Sequence, residues 1–234
     1  MRGEPDLASV AALIGDPSRA TMLTALADGR ALPAGELAAV AGLSLSGASA
    51  HLARLLEGRL LVVEREGRHR YYRLAGSQVA AALEGLAPLA IAPGRPRARS
   101  TATKALRRGR TCYDHLAGEL GVVLAQSLER HDLLASGEGK RLQVTAVGER
   151  WFADALGIET SRLRHGRHGV ACRCLDWSER RHHIAGPLAA ALLRRFLESG
   201  WITRVSNSAR AVKLSTSGAA WMRGTLGVAL STES

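Results

Sequence analysis

Residues 115–120 read HLAGEL, and residues 183–188 read HIAGPL. A segment written twice in one chain constrains the fold strongly, because two copies of one pattern build two similar pieces of backbone. The likeness continues beyond these openings. Leu124 and Leu128 match Leu192 and Phe196, and LERHDLL (128–134) matches LESGWIT (197–203). RLQVTAVGERWFADALGI (141–158) aligns with AVKLSTSGAAWMRGTLGV (211–228), setting Thr145 against Ser215, Gly148 against Gly218, Trp151 against Trp221 and Leu156-Gly157 against Leu226-Gly227. Each copy reads as helix, short hairpin, helix. Two such halves are expected to pack as one C-terminal domain with pseudo-symmetry, with His115 and His183 at equivalent helix starts.

All three cysteines stand beside these openings, in TCYDH (111–115) and ACRCLDWSERRHH (171–183). The candidate effector set is Cys112, Asp114, His115, Cys172, Cys174, His182 and His183. Asp176 and Glu179 either add oxygens or cap a helix opening near Ser178. Thiolates with imidazoles suit a soft divalent metal such as zinc, cadmium or lead. The positive end of a helix, with Arg110, Arg173, Arg180 and Arg181 nearby, would instead suit a reactive thiol that senses oxidants or electrophiles. Two other readings stand beside these: buried, hydrogen-bonded core residues, and a small organic ligand held near Tyr113 and Trp177. Cys172-x-Cys174 is not the Cys-x-x-Cys spacing of a structural zinc site. Neither a nucleotide-binding glycine loop nor a nucleophile–base motif accompanies the cysteines, so no enzymatic activity is expected.

The net charge is +11, and it is unevenly spread. Residues 1–91 hold nine arginines and nine acidic residues, so the later part carries the whole excess. Such a balance points to a polyanionic partner. IAPGRPRARSTATKALRRGR (91–110) has six arginines, one lysine and no acid. Its first part reads as a basic linker, assigned to 92–104. Its second part is expected to open a helix near Ser100 or Thr101 that runs on through TCYDHLAGELGVVLAQSLERHDLL. No apolar run is long enough to span a membrane. The opening MRGEPDLASV lacks the apolar core of a signal peptide. With an odd number of cysteines, reduced thiols and a cytoplasmic location are expected.

The first third is more specific. Asp16-Pro17 opens a helix carrying Met22, Leu23 and Leu26, with Gly29 as a stop. A short helix around 35–40 ends near Gly42, and Ser44 or Ser46 caps a second helix running to about Glu57. Helix, Gly-containing turn, helix is the helix-turn-helix pattern. LLVVEREGRHRYYRL (60–74) then changes to a two-residue period, turns at Glu66-Gly67 and returns, as a hairpin with an arginine-studded tip. The second helix offers Ser44, Ser46, Ser49, His51 and Arg54 to DNA, with Leu45, Leu52, Leu55 and Leu56 as apolar anchors. Arg65, Arg68 and Arg70 on the hairpin tip reach phosphate or the minor groove.

The stretches DPSRATMLTAL and ELAAVAGLSLSGASAHLARLLEGRLLVVEREGRHRYYRL resemble the arsenic-repressor (ArsR-type) winged helix-turn-helix regulators. The strongest match is S-x-x-S-x-H-L-x-x-L, here Ser46–Leu55. A G-R-x-x-Y-x-L wing follows at Gly67–Leu74, one residue longer than in the family. The resemblance implies a dimeric winged helix that binds double-stranded operator DNA as a repressor and is released by a signal. The family's metal ligands do not carry over. GELAAVAGL, before the recognition helix, has no cysteine. SQVAAALEGLAPLA, after the wing, has Glu84 as its only ionisable group. A metal signal would therefore enter elsewhere.

The expected fold is mainly α with short β-hairpins (α+β). A winged helix-turn-helix domain with dimerising flanking helices (Leu7–Ile14 and Val79–Leu89) occupies 1–91, and a duplicated effector domain occupies 105–234. The expected function is a DNA-binding transcriptional regulator. Its alternatives are a regulator answering to a small organic ligand, or an architectural DNA-binding protein without an effector.

Overall fold

The computed structural model describes residues 6–67, 69–90, 101–166, 168–206, 208 and 210–230. The chain forms two compact units, residues 1–83 and 84–234.

In the first unit, α1 (Leu7–Ile14) and α2 (Pro17–Ala25) are followed by β1 (Leu32–Pro33), α3 (Ala34–Val40), α4 (Leu45–Glu57), β2 (Leu61–Glu66), β3 (His69–Leu74) and the start of α5 (Ser77–Ala90). The Asp16 carboxylate accepts from the Arg19 N–H to cap α2, and Pro17 occupies the first turn, where its missing N–H costs nothing. The helix stops at Ala25, earlier than the Gly29 expected, and Gly29 instead takes a left-handed turn with φ 79°. Met22, Leu23, Leu26, Leu37, Leu52, Leu55 and Leu74 are fully or almost fully buried and make the core. Leu45, expected as an anchor, is 58% exposed. It is the first residue of α4, one turn before the stripe of Ala48, Leu52 and Leu55 begins. β1, β3 and β2 form one antiparallel sheet.

The second unit begins within α5. It contains α6 (Thr101–Arg108), β4 (Arg110–Cys112), β5 (His115–Ala117), α7 (Gly118–Arg130), β6 (Leu134–Ser136), β7 (Arg141–Val144) and α8 (Ala146–Leu156). The second copy follows as β8 (Ala171–Leu175), β9 (His182–Ala185), α9 (Pro187–Glu198), β10 (Ile202–Arg204), β11 (Val212–Leu214) and α10 (Thr216–Leu226). Three expectations are corrected here. The helix opening at Thr101 ends at Arg108, because residues 110–117 pair as a hairpin. His115 and His183 accordingly lie on strands, not at helix starts. No helix opens near Ser178 either. Residues 177–179 form a turn, in which Asp176 accepts from the N–H groups of Ser178 and Glu179.

Each half is therefore hairpin, helix, hairpin, helix, and the two halves exchange strands. The second hairpin of the first copy joins the first hairpin of the second in the sheet β6-β7-β8-β9. In the mirrored position, β4-β5 meets β10-β11 through the Arg110–Ala211 bridge and the Thr111 N–H to Arg210 carbonyl bond of 2.9 Å. The caps repeat as well. Thr145 and Ser215 accept from the Gly148 and Gly218 amides, and Gly157 and Gly227 end α8 and α10 in the left-handed region. One core joins both copies, with Leu128, Phe152, Leu188, Phe196 and Met222 sealed in it. Trp201 stacks on Trp221 with ring centroids 4.1 Å apart, and Trp151 stands 6.2 Å from Trp221.

Candidate nucleic-acid interface and metal centre

On α4 the exposed residues are Leu45, Ser46, Ser49, Ala50, Ala53, Arg54 and Glu57. They recur at three- and four-residue spacing and form one outward stripe. Its small side chains leave room for close approach to a groove. Ser44 is the N-cap, accepting from the Gly47 amide at 3.2 Å, and the Ser49 hydroxyl donates to the Leu45 carbonyl at 2.9 Å. His51 is turned aside: its Nδ1 lies 3.5 Å from both Asp16 Oδ1 and Arg19 Nη1. On the hairpin, Arg65 and Arg70 are exposed direct cross-strand partners. Like charges in that position weaken a sheet unless an anion lies between them. Arg68 falls outside the described residues.

In the second unit, four of the candidate residues converge. Cys112 pairs with His115 across β4-β5, and Cys174 pairs with His183 across β8-β9, so each copy presents one thiol and one imidazole on neighbouring strands. The first pair is joined by the two-residue turn Tyr113-Asp114, with Tyr113 at φ 60°. A bulky residue in the left-handed region is uncommon, and here it sits in the turn that links the pair. Donor atoms of Cys112, His115, Cys174 and His183 all lie within 4.8 Å of one another. The Nε2 atoms of His115 and His183 are 3.1 Å apart. Cys112 and His183 are 1% exposed and His115 5%. Cys172 and His182 do not join this group.

Each imidazole is backed by a carboxylate. Asp114 Oδ1 lies 3.1 Å from His115 Nδ1, and Asp176 Oδ2 lies 3.2 Å from His183 Nδ1, the latter out of line for a well-formed hydrogen bond. Asp176 is fully buried. Its Oδ2 accepts from the Gly118 amide at 2.6 Å, and its Oδ1 faces Arg110 Nη2 at 3.1 Å. Arg110 is itself fully buried, with its guanidinium 4.5 Å over the Trp177 ring, which occupies that indole face. Glu84, on α5, pairs with Arg210 and lies 3.7 Å from Arg110. Asp176, Arg110 and Glu84 fall outside the expected effector set. The sequence offers Asp176 as an added oxygen or a cap and Arg110 as a nearby positive charge, but their separation along the chain gives no signal that they join each other and Glu84.

Electrostatics assigns the protons. The Cys174 thiol is driven far down by the hydrogen bond from Cys112, against the cost of its burial, with His115 and His183 adding to the effect. Cys112, the donor in that bond and itself buried, is driven up. Burial opposes protonation of His115, yet Asp114 and Cys174 outweigh it and its pKa is raised. For Asp176, burial is overcome by His183, Arg110 and the Gly118 amide, and its carboxyl stays well below the usual range. Cys174 is thus the thiolate of the cluster, while Cys112 and His115 favour their protonated forms, and a soft metal would displace those protons on binding.

A helix-turn-helix domain family matches residues 14–64. The HTH-type transcriptional regulator YdfF of Bacillus subtilis is 46% identical over 217 residues, covering 92% of this chain and 94% of that protein. The chain belongs to the ArsR-type helix-turn-helix transcriptional regulators. The regulator CmtR of Mycobacterium bovis is 42% identical over 89 residues, 38% of this chain and 75% of its own. The structure of the cadmium metal-sensor CMTR from Mycobacterium tuberculosis shares 38% identity over 39% of this chain and 94% of its own, with a TM-score of 0.32. The regulator is a DNA-binding protein of mixed α+β class, and no described helix is long and apolar enough to cross a membrane.

Proposed function

We propose that the regulator represses transcription by binding operator DNA as a dimer and is released when a signal reaches its second unit. The observation that carries this is the convergence of Cys112, His115, Cys174 and His183, two from each copy and all but Cys174 buried, in a chain whose first unit is a helix-turn-helix. The signal is a soft metal or a thiol-reactive agent, since those are the species that thiolates with imidazoles capture. DNA is held by Ser46, Ser49 and Arg54 on α4 and by Arg65 and Arg70 on the hairpin. A ligand bound between the copies need favour the released state by only about 1.4 kcal/mol to weaken DNA binding tenfold.

The test is binding of a promoter fragment, followed by fluorescence anisotropy, with and without zinc, cadmium, lead and peroxide. The wild-type chain is expected to release DNA with at least one of them, and a Cys112→Ser, Cys174→Ser chain to hold it. An unchanged response in that variant removes the cluster from the signal path. A Ser46→Glu, Ser49→Glu chain is expected to lose operator binding, by repulsion from phosphate; retained binding refutes the α4 assignment.

A further inference from the structure

We propose that Cys112, His115, Cys174 and His183 form a closed, four-coordinate site for a single zinc-class ion, to which each copy of the duplication contributes one thiolate and one imidazole. The inference deepens the effector reading above and rests on it only for its regulatory consequence.

Three observations lead to it. The first is register. A cysteine and a histidine that are direct cross-strand partners put their side chains on one face of a hairpin. The strand exchange between copies turns those two faces toward each other, so the four donors fall within 4.8 Å of one another. A tetrahedral ion with Zn–N near 2.0–2.1 Å and Zn–S near 2.3 Å needs donor separations of about 3.3–3.8 Å. The histidine Nε2 atoms already stand 3.1 Å apart. Small side-chain movements therefore close the shell without a change of fold.

The second is the orientation of the rings. Both histidines turn Nε2 inward and Nδ1 toward a carboxylate, Asp114 for His115 and Asp176 for His183. Acidic partners behind the ligating imidazoles fix ring direction and raise ligand basicity, and they recur around metal-bound histidine. A histidine pair that served only to fill a core would not need a carboxylate behind each ring.

The third is charge and donor type. Two thiolates neutralise a divalent cation, so the ion can sit where Cys112, His115 and His183 are almost wholly buried. Calcium and magnesium require oxygen donors, and the convergent set supplies none. Four protein donors leave no position for water, which distinguishes a structural or sensing site from a catalytic one. The two cysteines come from different copies, so the ion acts as a staple across the duplication.

The experiment uses the reduced, metal-free full-length chain titrated with cobalt(II), then with zinc. Expected are the intense visible bands of tetrahedral cobalt, thiolate-to-cobalt charge transfer in the near ultraviolet, saturation at one ion per chain and complete displacement by zinc. Cys172→Ser should leave all of this unchanged. Asp114→Asn, at a half-exposed position, should keep the tetrahedral bands while weakening zinc roughly 10- to 100-fold. A pale six-coordinate spectrum from the folded wild type overturns the site, and so does a charge-transfer band that disappears with Cys172. The wild-type spectrum decides the matter even if a ligand variant fails to fold. A tetrahedral spectrum with operator affinity unmoved by zinc supports the site and removes the effector reading. Release of DNA by zinc without that spectrum overturns the site alone.

Discussion

Gly148 and Gly218 are the third residues of α8 and α10, and they show how closely the two copies share one packing rule. A Cβ on Gly148 would lie 2.1 Å from the Leu133 carbonyl oxygen, and one on Gly218 would lie 2.2 Å from that of Trp201. Both obstacles are backbone and cannot swing away. At each site the preceding cap, Thr145 or Ser215, accepts from the glycine amide and donates to a carbonyl at the end of the previous helix, Asp132 or Gly200. Alanine at either position is expected to lower stability by about 1–3 kcal/mol through overpacking. Gly224 is exposed in the last turn of α10, and a Cβ there would meet nothing within 4 Å. At that position alanine is expected to raise stability by about 0.5–1 kcal/mol by restricting the unfolded chain. Denaturant titrations of the three single variants check both signs, and an equal loss at all three would contradict the packing argument.

At the scale of elements, two ion pairs separate burial from proximity. Glu64 and Arg73 pair across β2 and β3 in the open, with side chains 57% and 37% exposed. Glu84 on α5 is buried against Arg210 and Arg110. Water screens the first pair and not the second. Glu64→Gln is therefore expected to change stability by less than about 1 kcal/mol. Glu84→Gln takes the carboxylate from the largely buried Arg210 and the second counter-charge from Arg110, which keeps Asp176, and is expected to cost about 3–5 kcal/mol. Thermal unfolding of the two variants side by side measures the contrast; similar small shifts would mean that water reaches Glu84. α4 shows the same division of labour within one helix. Ala48, Leu52 and Leu55 hold it to the core, and the outward stripe has little packing role and is free to meet DNA.

At the scale of the whole molecule, exposed apolar side chains point to self-association. Leu7 is 75% exposed and Val10 41% on α1, and Leu86 is 44% and Leu89 80% on α5. A helix with such residues bare is more stable when another surface covers them. The regulator is expected to sediment as a dimer at micromolar concentration, and Leu7→Glu with Leu89→Glu to shift it to monomer and weaken operator binding. A wild-type monomer in the presence of DNA would count against dimeric recognition.

Much of this is legible along the chain, because it depends on neighbours. The Asp16-Pro17 and Ser44 caps, the Gly67 turn and the switch from helical to two-residue period in 60–74 are local, and local chemistry is enough to read the winged helix. Thr145/Ser215, Gly148/Gly218 and Gly157/Gly227 are likewise local, and their repetition announces the duplication. The repeat matches the two histidines correctly as equivalent positions but sets them wrongly at helix starts, because a three-residue strand such as His115–Ala117 is too short to show a period. The cysteines cannot be matched by spacing at all: Cys112 stands three residues before its histidine and Cys174 nine before its own. Only strand pairing makes them equivalent, since the longer turn of the second hairpin absorbs the difference and restores the same cross-strand register. The exchange of hairpins between copies, and with it the meeting of residues 112–115 with 174–183, depends on backbone hydrogen bonds between distant segments. The same holds for the buried chain from His183 through Asp176 and Arg110 to Glu84. Those contacts are set by where the common core forces the strands and α5 to lie, and no local pattern records them.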